Sequence, residues 1–238
     1  MANGKTGVWT VRVARATLAA ALLVLLAGPF IKFGVLSWKA GLAMFAVAAL
    51  LAGIGGIVCL VALLRRRRGS LTVLAAAAGL AAVIVPVAIV ADASGAPRIH
   101  DITTDTADPP QFTAITPALR GADSNSIVYD SKNAALQAAA FPKLATLVIA
   151  APPAAAFDRA LAAAKGQGWA IVAADAASGR IEATDTVPWW GFKDDVVVRL
   201  AADGAGTRID VRSVSRVGEG DLGVNARRIS NYLGRLKA

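Results

Sequence analysis

The only histidine of the chain, His100, lies in the stretch RIHDITTDTAD, which is rich in aspartate and threonine. Imidazole nitrogens and carboxylate oxygens bind cations, so His100, Asp101 and Asp105 are the candidate metal ligands. Their spacing does not match an EF-hand loop, and aspartates in such a stretch also accept hydrogen bonds from nearby backbone N–H groups in turns. We favour the turn interpretation and expect no metal. A Ser-His-Asp triad would also need His100, but no serine lies in a G-x-S-x-G elbow, so no catalytic residue is expected by that route.

A second candidate site combines aromatic and charged residues at one end of a predicted hairpin, where the charged groups should meet. Such a cluster is the best local candidate for a ligand or partner contact. Its members are Trp189, Trp190, Phe192, Asp194, Asp195 and Arg216. Structural alternatives stay open: the aromatic residues close the edge of the core or lie at a membrane interface, and the charged residues form an ion pair that fixes the turn. An enzyme that uses the carboxylates of Asp194 and Asp195 is the functional alternative.

Charge alternates along RIDVR, residues 208–212. A hairpin closed over residues 203–206 pairs Ala202 with Thr207 and therefore places Arg199 opposite Asp210. The apolar side chains then point to one face of the sheet, in the pairs Leu200 with Ile209 and Val198 with Val211. The opposite, charged face comprises Arg180, Glu182, Arg199, Arg208, Asp210 and Arg212. Because opposite charges stabilise each other across strands, we expect a solvated, self-neutralising face rather than a binding surface.

A β-α-β-β-β-β-α order after position 145 is predicted to position these residues. Short β-prone runs bounded by turn residues predict strands at 146–150, 169–174, 180–186, 195–202 and 207–216. Helical apolar spacing predicts one helix from Pro152 to Gly166 and a second helix that begins at the N-cap Asp221. The second helix has Leu222, Ala226, Ile229, Leu233 and Leu236 on its apolar face, and Arg227, Arg228, Asn231 and Arg235 elsewhere. We expect an α+β fold with both helices on one face of an antiparallel sheet.

The first 91 residues have the composition of a membrane region. All 16 acidic residues lie at or after position 92, whereas nine of the 25 basic residues precede it, so the first 91 residues carry the whole net charge of +9. Long apolar runs predict three transmembrane helices at about 16–36, 40–64 and 71–91. The first run also fits a signal peptide, since Arg12 and Arg15 precede its apolar core, but its length and the two further spans favour an uncleaved helix. Basic loops between such helices face the cytoplasm, so Arg65 to Arg68 predict that the C-terminal domain lies on the outer side. The positive charge is therefore a topology signal and does not indicate nucleic-acid binding.

Small residues in the second span predict how it packs. The stretch AGIGGIV, residues 52–58, loosely resembles a dinucleotide-binding loop, but no strand precedes it. Ala52 and Gly56 instead form a small-xxx-small face for close helix contact. No ionisable group lies deep within the second or third span, which argues against a small transport component.

Three stretches carry a resemblance to a known family. ITTDTADPPQF, WWGFKDDVVVRL and RIDVRSVSRVGEGDLGVNARRI follow membrane helices in this order. Together they resemble the domain-of-unknown-function family 1499 over about Arg98 to Leu236. The resemblance implies a bacterial envelope or plastid setting, and it supplies no catalytic residues.

We therefore expect a membrane region at 1–91, an extended, irregular lead at 92–145 and a compact α+β core at 146–238. The expected protein is a multi-pass protein of the bacterial inner (plasma) membrane with its C-terminal domain in the periplasm, and it acts as an accessory or binding module. The lipid bilayer and another envelope protein are the expected partners, without nucleic acid or a cofactor. The enzyme and the transport component remain the alternatives.

Overall fold

The computed structural model describes residues 2–65, 69–92 and 95–237. The chain divides into two compact units. The first unit is Met1–Asp92 together with Trp189–Gly191, and the second is Ala93–Pro188 together with Phe192–Ala238. Residues 66–68 of the basic loop, on which the predicted orientation depends, lie outside the described residues.

The first unit contains three long helices: α1 (Ala2–Lys32), α2 (Trp38–Leu64) and α3 (Ser70–Asp92). Each helix is long and apolar enough to cross a membrane, with a mean hydropathy of 1.9 in α1 and 2.7 in α2 and α3. The 27 residues of α2 rise about 40 Å, which exceeds the roughly 30 Å hydrocarbon core of a bilayer. Ser37 starts α2 by accepting a hydrogen bond from the N–H of Ala40 at 3.3 Å. The helix α1 begins well before position 16, so the arginines at 12 and 15 are helical.

Small residues let α2 and α3 approach closely. Ala52 and Gly56 are buried, as the small-xxx-small pattern predicts. A methyl group added to Gly79 of α3 would lie 2.3 Å from the carbonyl oxygen of Ala52, and one added to Gly56 would lie 2.9 Å from the backbone nitrogen of Leu80. Since both neighbours are backbone atoms, the helix contact requires glycine at these positions.

The second unit is an α+β domain, as predicted. Its elements are β1 (Asp101–Thr103), α4 (Pro117–Arg120), α5 (Asn133–Ala140), β2 (Leu147–Ile149), α6 (Pro153–Gly166), β3 (Ala170–Asp175), β4 (Arg180–Thr186), β5 (Lys193–Asp203), β6 (Gly206–Ser215) and α7 (Val224–Lys237). The antiparallel sheet has the strand order β1-β6-β5-β4-β3, and β2 pairs with β6 beside β1. From β2 onward the order is the predicted β-α-β-β-β-β-α. The lead contributes β1, α4 and α5, which the sequence did not predict.

The β5–β6 hairpin has the predicted register. Ala202 pairs with Thr207, and Arg199 pairs with Asp210. The apolar face of the sheet packs against α6 and α7 in one core, whose members include Val198, Leu200, Ile209, Val211, Phe157, Ala160, Ile229 and Leu233. Trp169 stacks on Tyr232 with ring centroids 4.9 Å apart, and the hydroxyl of Tyr232 donates to the carbonyl of Ala160 at 2.9 Å. The two long helices of this unit therefore cover one face, as expected.

The beginning of α7 differs from the prediction. The helix starts at Val224, so Leu222 lies before it, with φ of +54° and an exposed side chain. The carboxylate of Asp221 still binds the backbone there, accepting hydrogen bonds from the N–H groups of Gly223 at 2.9 Å and Asn225 at 2.7 Å. Burial raises the pKa of Asp221 above its ordinary range, although these two backbone donors oppose the shift.

Candidate functional site

The charged face of the sheet is largely covered, so the expectation of a solvated face is wrong: Glu182, Asp210 and Arg212 are buried, and Arg180, Arg199 and Arg208 are partly exposed. The segment 104–130 crosses this face and covers it. The buried ionisable residues there are Asp101, Arg120, Glu182, Asp195, Asp210 and Arg212. A buried charge is costly unless it is paired or hydrogen-bonded. The partners of each charged group therefore show whether any group on this face is left to bind a ligand.

Arg212 lies at the centre of the covered face and is fully buried. Its Nε and Nη2 donate to the two carboxylate oxygens of Asp101 at 2.9 and 2.8 Å, the bidentate geometry that suits arginine. The guanidinium also donates to the carbonyls of Pro110 at 3.3 Å and Ile127 at 2.7 Å. Its central carbon lies 5.5 and 5.4 Å from two aromatic ring centroids, those of Phe112 and Tyr129. Arg212 therefore binds the covering segment at several points.

Glu182 binds the same segment through its backbone. Its carboxylate accepts hydrogen bonds from three consecutive N–H groups, those of Thr113, Ala114 and Ile115, at 2.6 to 3.1 Å. The hydroxyl of Thr113 adds a fourth donor at 2.8 Å. Both carboxylate oxygens are thus occupied.

Asp210 and Asp105 share two arginines near the hairpin end of the face. Arg199 donates to Asp210 at 3.1 Å and to Asp105 at 3.2 Å, and Arg208 also contacts both carboxylates. Burial alone would raise the pKa of Asp105. The backbone N–H groups of Asp108 and Ala107 and the charges of the two arginines outweigh burial, so the pKa of Asp105 is lowered.

Asp195 is the most heavily bonded of the predicted site residues. It accepts hydrogen bonds from Arg120 at 2.8 Å, from Arg216 at 2.9 and 2.8 Å, and from the hydroxyl of Thr184 at 2.7 Å. Arg120 also donates to the carbonyl of Asn125 at 2.5 Å, which fixes the loop after α4. Asp195 therefore pairs with Arg216, as expected, and its second ion pair, with Arg120, ties the covering segment to the sheet.

Asp194 does not join this cluster, because neighbouring residues of a strand point to opposite faces. It pairs with Arg228 of α7 at 2.5 Å on the helix-covered face, and Arg228 also binds Asp185 at 2.7 Å. Arg228 is buried, so the prediction that it faces away from the core is wrong. Charge alone predicts that a basic side chain faces solvent, whereas the two carboxylates that compensate Arg228 lie on β4 and β5.

The aromatic members of the predicted cluster separate as well. Trp189 and Trp190 belong to the first unit, where their ring centroids lie 6.1 and 5.3 Å from that of Phe45. Phe192 belongs to the second unit. The three aromatic residues of the predicted ligand contact are therefore divided between the two units.

The candidate metal ligands are engaged elsewhere. Asp101 pairs with Arg212, Asp105 pairs with Arg199 and Arg208, and Nδ1 of His100 lies 3.4 Å from the carbonyl of Glu219. Within the described ranges, no three His, Cys, Asp or Glu residues are grouped as metal ligands would be. Asp105 instead accepts from the N–H groups of Ala107 and Asp108 at 3.1 and 3.0 Å, which is the turn arrangement favoured from the sequence.

The arrangement as a whole leaves little room for acid–base chemistry on the charged face. Its buried carboxylates are bonded to arginines, hydroxyls or backbone donors. Two clefts of about 270 and 250 Å³ border the covering segment; one is lined by Arg98, His100 and Asp130 among others, the other by Arg120 and Asn125. No local pattern predicts the roles of Arg120, Phe112 and Tyr129, because each is a lone arginine or aromatic residue in a segment without periodicity.

The fold and its contacts define a class: an α+β domain with one helix-covered face and one segment-covered face, following three membrane-type helices. The family model described as protein of unknown function (DUF1499) matches residues 101–236. The chain belongs to this family, and the resemblance seen in the sequence is confirmed. No curated protein matches the chain at a significant level.

Proposed function

We propose that this chain is a protein of the bacterial inner membrane whose C-terminal domain faces the periplasm and acts as an accessory or binding module. The observation that carries the proposal is the pairing of the buried carboxylates. Glu182, Asp195 and Asp210 accept hydrogen bonds from the covering segment and hold it on the sheet, so these ionisable groups maintain a shaped surface. A catalytic acid or base needs a group free to exchange a proton with substrate.

Membrane anchoring is supported by the three helices, each of which has the length and hydropathy of a span. Orientation is supported by the sequence RRRR at 65–68, since arginines in a short loop favour the cytoplasmic side. With three spans, the domain after α3 then lies on the other side of the membrane. In a bacterial inner membrane that side is the periplasm.

The proposed partner is another protein of the envelope. The helix-covered face and the charged face are both occupied by elements of the domain itself, so a partner has to bind the outer surface of the covering segment or the loops. The alternative of an enzyme that uses Asp194 and Asp195 loses support, because both carboxylates are bonded to arginines.

Orientation is tested with fusions after Ala238. Alkaline phosphatase folds only in an oxidising compartment, so it should be active there, and a green fluorescent protein at the same site should be dark. Fluorescence with an inactive phosphatase would contradict the proposed side of the membrane.

The accessory role is tested by chemical crosslinking in intact cells followed by purification of the full chain, with a chain truncated after Asp92 as the control. A specific envelope protein should be recovered with the full chain and lost with the truncated chain. Recovery of the same protein with both chains would assign the interaction to the helices and contradict a binding role for the domain.

A further inference from the structure

The two edges of the sheet end in different ways. On one side, β6 carries two short edge strands, β1 and β2, of three residues each. The side-chain amide of Gln137, from α5, caps β1: its Oε1 accepts from the N–H of Thr103 at 2.9 Å, and its Nε2 donates to the carbonyl of Thr103 at 2.7 Å. Short edge strands and occupied backbone groups prevent further strands from adding to a sheet. This edge is therefore short and, at β1, already occupied.

The opposite edge is β3, which is longer and is not capped in this way. The strand has six residues, and in the strand order it pairs with β4 at the end of the sheet. In an antiparallel pair, alternate residues turn their N–H and C=O groups away from the partner strand. In the part of the chain that the structure describes, no backbone hydrogen bond outside the sheet involves residues 170–175. The outward groups of β3 therefore remain available to another strand.

The side chains of β3 give this edge little protection. The strand reads AIVAAD, without lysine or proline, and its one charge is at the last residue, Asp175. The side chain of Val172 is 41% exposed. A bulge at Val172, between the paired residues Ile171 and Ala173, is the protective feature that remains. An apolar edge strand with outward backbone groups is a surface that accepts a further strand.

The start of β3 is basic. Lys165 lies in the last turn of α6, and the connection from α6 is tight, since the N–H of Trp169 donates to the carbonyl of Ala164 at 3.2 Å. Lys165 therefore lies beside the start of the strand. A methyl group on Gly166 would lie 3.3 Å from a guanidinium nitrogen of Arg235, which adds a second positive charge there. Both basic residues are exposed.

The end of β3 is acidic. Asp175 is exposed, and its carboxylate accepts a hydrogen bond from the N–H of Ala177 at 3.0 Å, which holds the carboxylate at the end of the strand. Arg180 is its cross-strand neighbour on β4, and the guanidinium of Arg180 donates to the hydroxyl of Thr113 at 3.1 Å. The edge thus runs from a basic start to an acidic end.

Two copies of this edge are complementary to each other. When two identical strands pair antiparallel about a two-fold axis, the start of each strand lies beside the end of the other. Lys165 and Arg235 of one copy then lie beside Asp175 of the other, and the same attraction occurs twice. Parallel pairing would instead bring like charges together. A strand of an unrelated protein would need the same charges in reverse order, whereas a second copy supplies them by symmetry.

We propose that β3 is a dimer interface, at which the β3 strands of two copies pair antiparallel and join two sheets into one. The two-fold axis passes near Val172, in the middle of the strand. The inference depends neither on the side of the membrane nor on the accessory role, so the phosphatase fusion and this proposal fail separately.

Crosslinking in native membranes tests the pairing. The full chain with Cys59→Ala, which removes the one cysteine, carries either Val172→Cys or the control Val148→Cys on β2, where the native side chain is 53% exposed. A short bismaleimide should crosslink two copies several-fold more at position 172 than at position 148, because position 172 lies near its own symmetry mate. Equal crosslinking at the two positions would overturn the proposal.

Charge exchange tests the antiparallel arrangement. In the chain with Val172→Cys, Lys165→Asp and Asp175→Lys should each lower the crosslinked fraction several-fold, because the attraction at both ends of the paired strands is lost. The two substitutions together restore opposite charges and should recover part of the crosslinking. Thermal midpoints close to that of the parent chain show that the variants are folded. A combined variant that crosslinks no better than the single variants would overturn the antiparallel pairing.

The mass of the full chain in detergent gives an independent measurement. In analytical ultracentrifugation the wild type should pass from monomer to dimer as its concentration rises, and Val172→Lys, which places a charge on the edge, should remain monomeric. The control Val172→Thr keeps a β-branched side chain and should dimerise as the wild type does.

Two results of this measurement would contradict the proposal. A dimer that Val172→Lys does not weaken would assign the interface to another surface. A wild type that is monomeric at every concentration would exclude the second copy as the occupant. If Val172→Lys then also lost a crosslinked envelope protein, the edge would accept a strand of a different protein instead.

Discussion

Arg212 shows at the residue scale why a buried arginine in this domain is structural. Its carboxylate partner, two carbonyls and two aromatic rings all come from residues 101–129. Burying an ion pair costs desolvation that the attraction only partly offsets, so the pair itself need not stabilise the fold. Its effect is to tie the covering segment to the sheet, because two carbonyls and two aromatic rings of that segment surround the guanidinium.

Removing only one member of this pair should be costly. Arg212→Met leaves the carboxylate of Asp101 buried without its cation, and we expect a loss of about 3 to 5 kcal/mol in the free energy of unfolding. Denaturant unfolding of the full chain in detergent, followed by near-ultraviolet circular dichroism, measures the change. The control Arg98→Met removes an ion pair with Glu219 whose side chains are 84% and 81% exposed, and it should have little effect. Equal effects of the two substitutions would contradict the role assigned to burial.

Asp105 gives the domain a pH dependence of defined sign. Its pKa is lowered in the folded state, so its stabilisation is complete above the unfolded-state value of about 3.9 and is lost as the pH falls through the lower, folded-state pKa. At pH 7, Asp105→Asn should lower the free energy of unfolding by about 1 to 3 kcal/mol, because two charged hydrogen bonds are lost. Unfolding curves between pH 7 and pH 2 should show this difference shrinking below pH 4. The exposed control Asp123→Asn should follow the wild type; a constant difference for Asp105→Asn would contradict the assignment.

At the scale of elements, the β5–β6 hairpin was predictable because alternation and loop length together determine register. The cover of the charged face was not predictable, since segment 104–130 has no periodicity and is ordered by contacts such as that of Arg212 with the carbonyl of Ile127, 85 residues apart. Side-chain alternation along β5 does predict that Asp194 and Asp195 point to opposite faces of the sheet. The burial of Arg228 could not be read locally, because its compensating carboxylates belong to other elements.

The helix α7 completes the core, and its interior should be sensitive to truncation. Leu233 is buried against the apolar face of the sheet, so Leu233→Ala should lower the free energy of unfolding by about 2 to 5 kcal/mol. The neighbouring exposed residue supplies the control: Asn231→Ala should change it by less than about 0.5 kcal/mol. Thermal unfolding of both variants measures the difference. A wild-type midpoint for Leu233→Ala would mean that α7 is not packed on the sheet.

The contact between α2 and α3 has its own test. An alanine at Gly79 would place a methyl group 2.3 Å from a backbone oxygen of α2, so Gly79→Ala should destabilise the helical unit by about 1 to 3 kcal/mol. Gly7→Ala in α1 is the control, since nothing lies within 4 Å of its added methyl group. It should leave stability unchanged or slightly higher through helix propensity. The temperature of thermal aggregation in detergent measures the stability of both variants. Equal aggregation temperatures for Gly79→Ala and Gly7→Ala would mean that α2 and α3 lie farther apart than the structure shows.

At the scale of the whole molecule, charge is divided unevenly along the chain. The first 91 residues carry the whole net charge of +9, and the rest of the chain is neutral overall. The four arginines at 65–68 supply nearly half of that charge in one loop. Of the remaining basic residues of the first 91 positions, Lys5, Arg12 and Arg15 lie in the N-terminal half of α1, and Lys32 and Lys39 lie at the C-terminal end of α1 and the start of α2. The loop is therefore the main source of any bias in orientation.

Neutralising this loop should disturb the orientation of the domain. With Arg65 to Arg68 replaced by glutamines, three basic residues in the N-terminal half of α1 are opposed by Lys32 and Lys39, so we expect insertion in both orientations. Phosphatase activity after Ala238 should fall to roughly half, and fluorescence of the matching green fluorescent protein fusion should appear. Replacing the same four residues by lysines keeps the charge and should retain full phosphatase activity and a dark fluorescent protein. Because both variants alter the same side chains, a difference between them isolates charge from side-chain shape. Full phosphatase activity in the glutamine variant would mean that the fold of the domain, rather than the arginine loop, determines its side of the membrane.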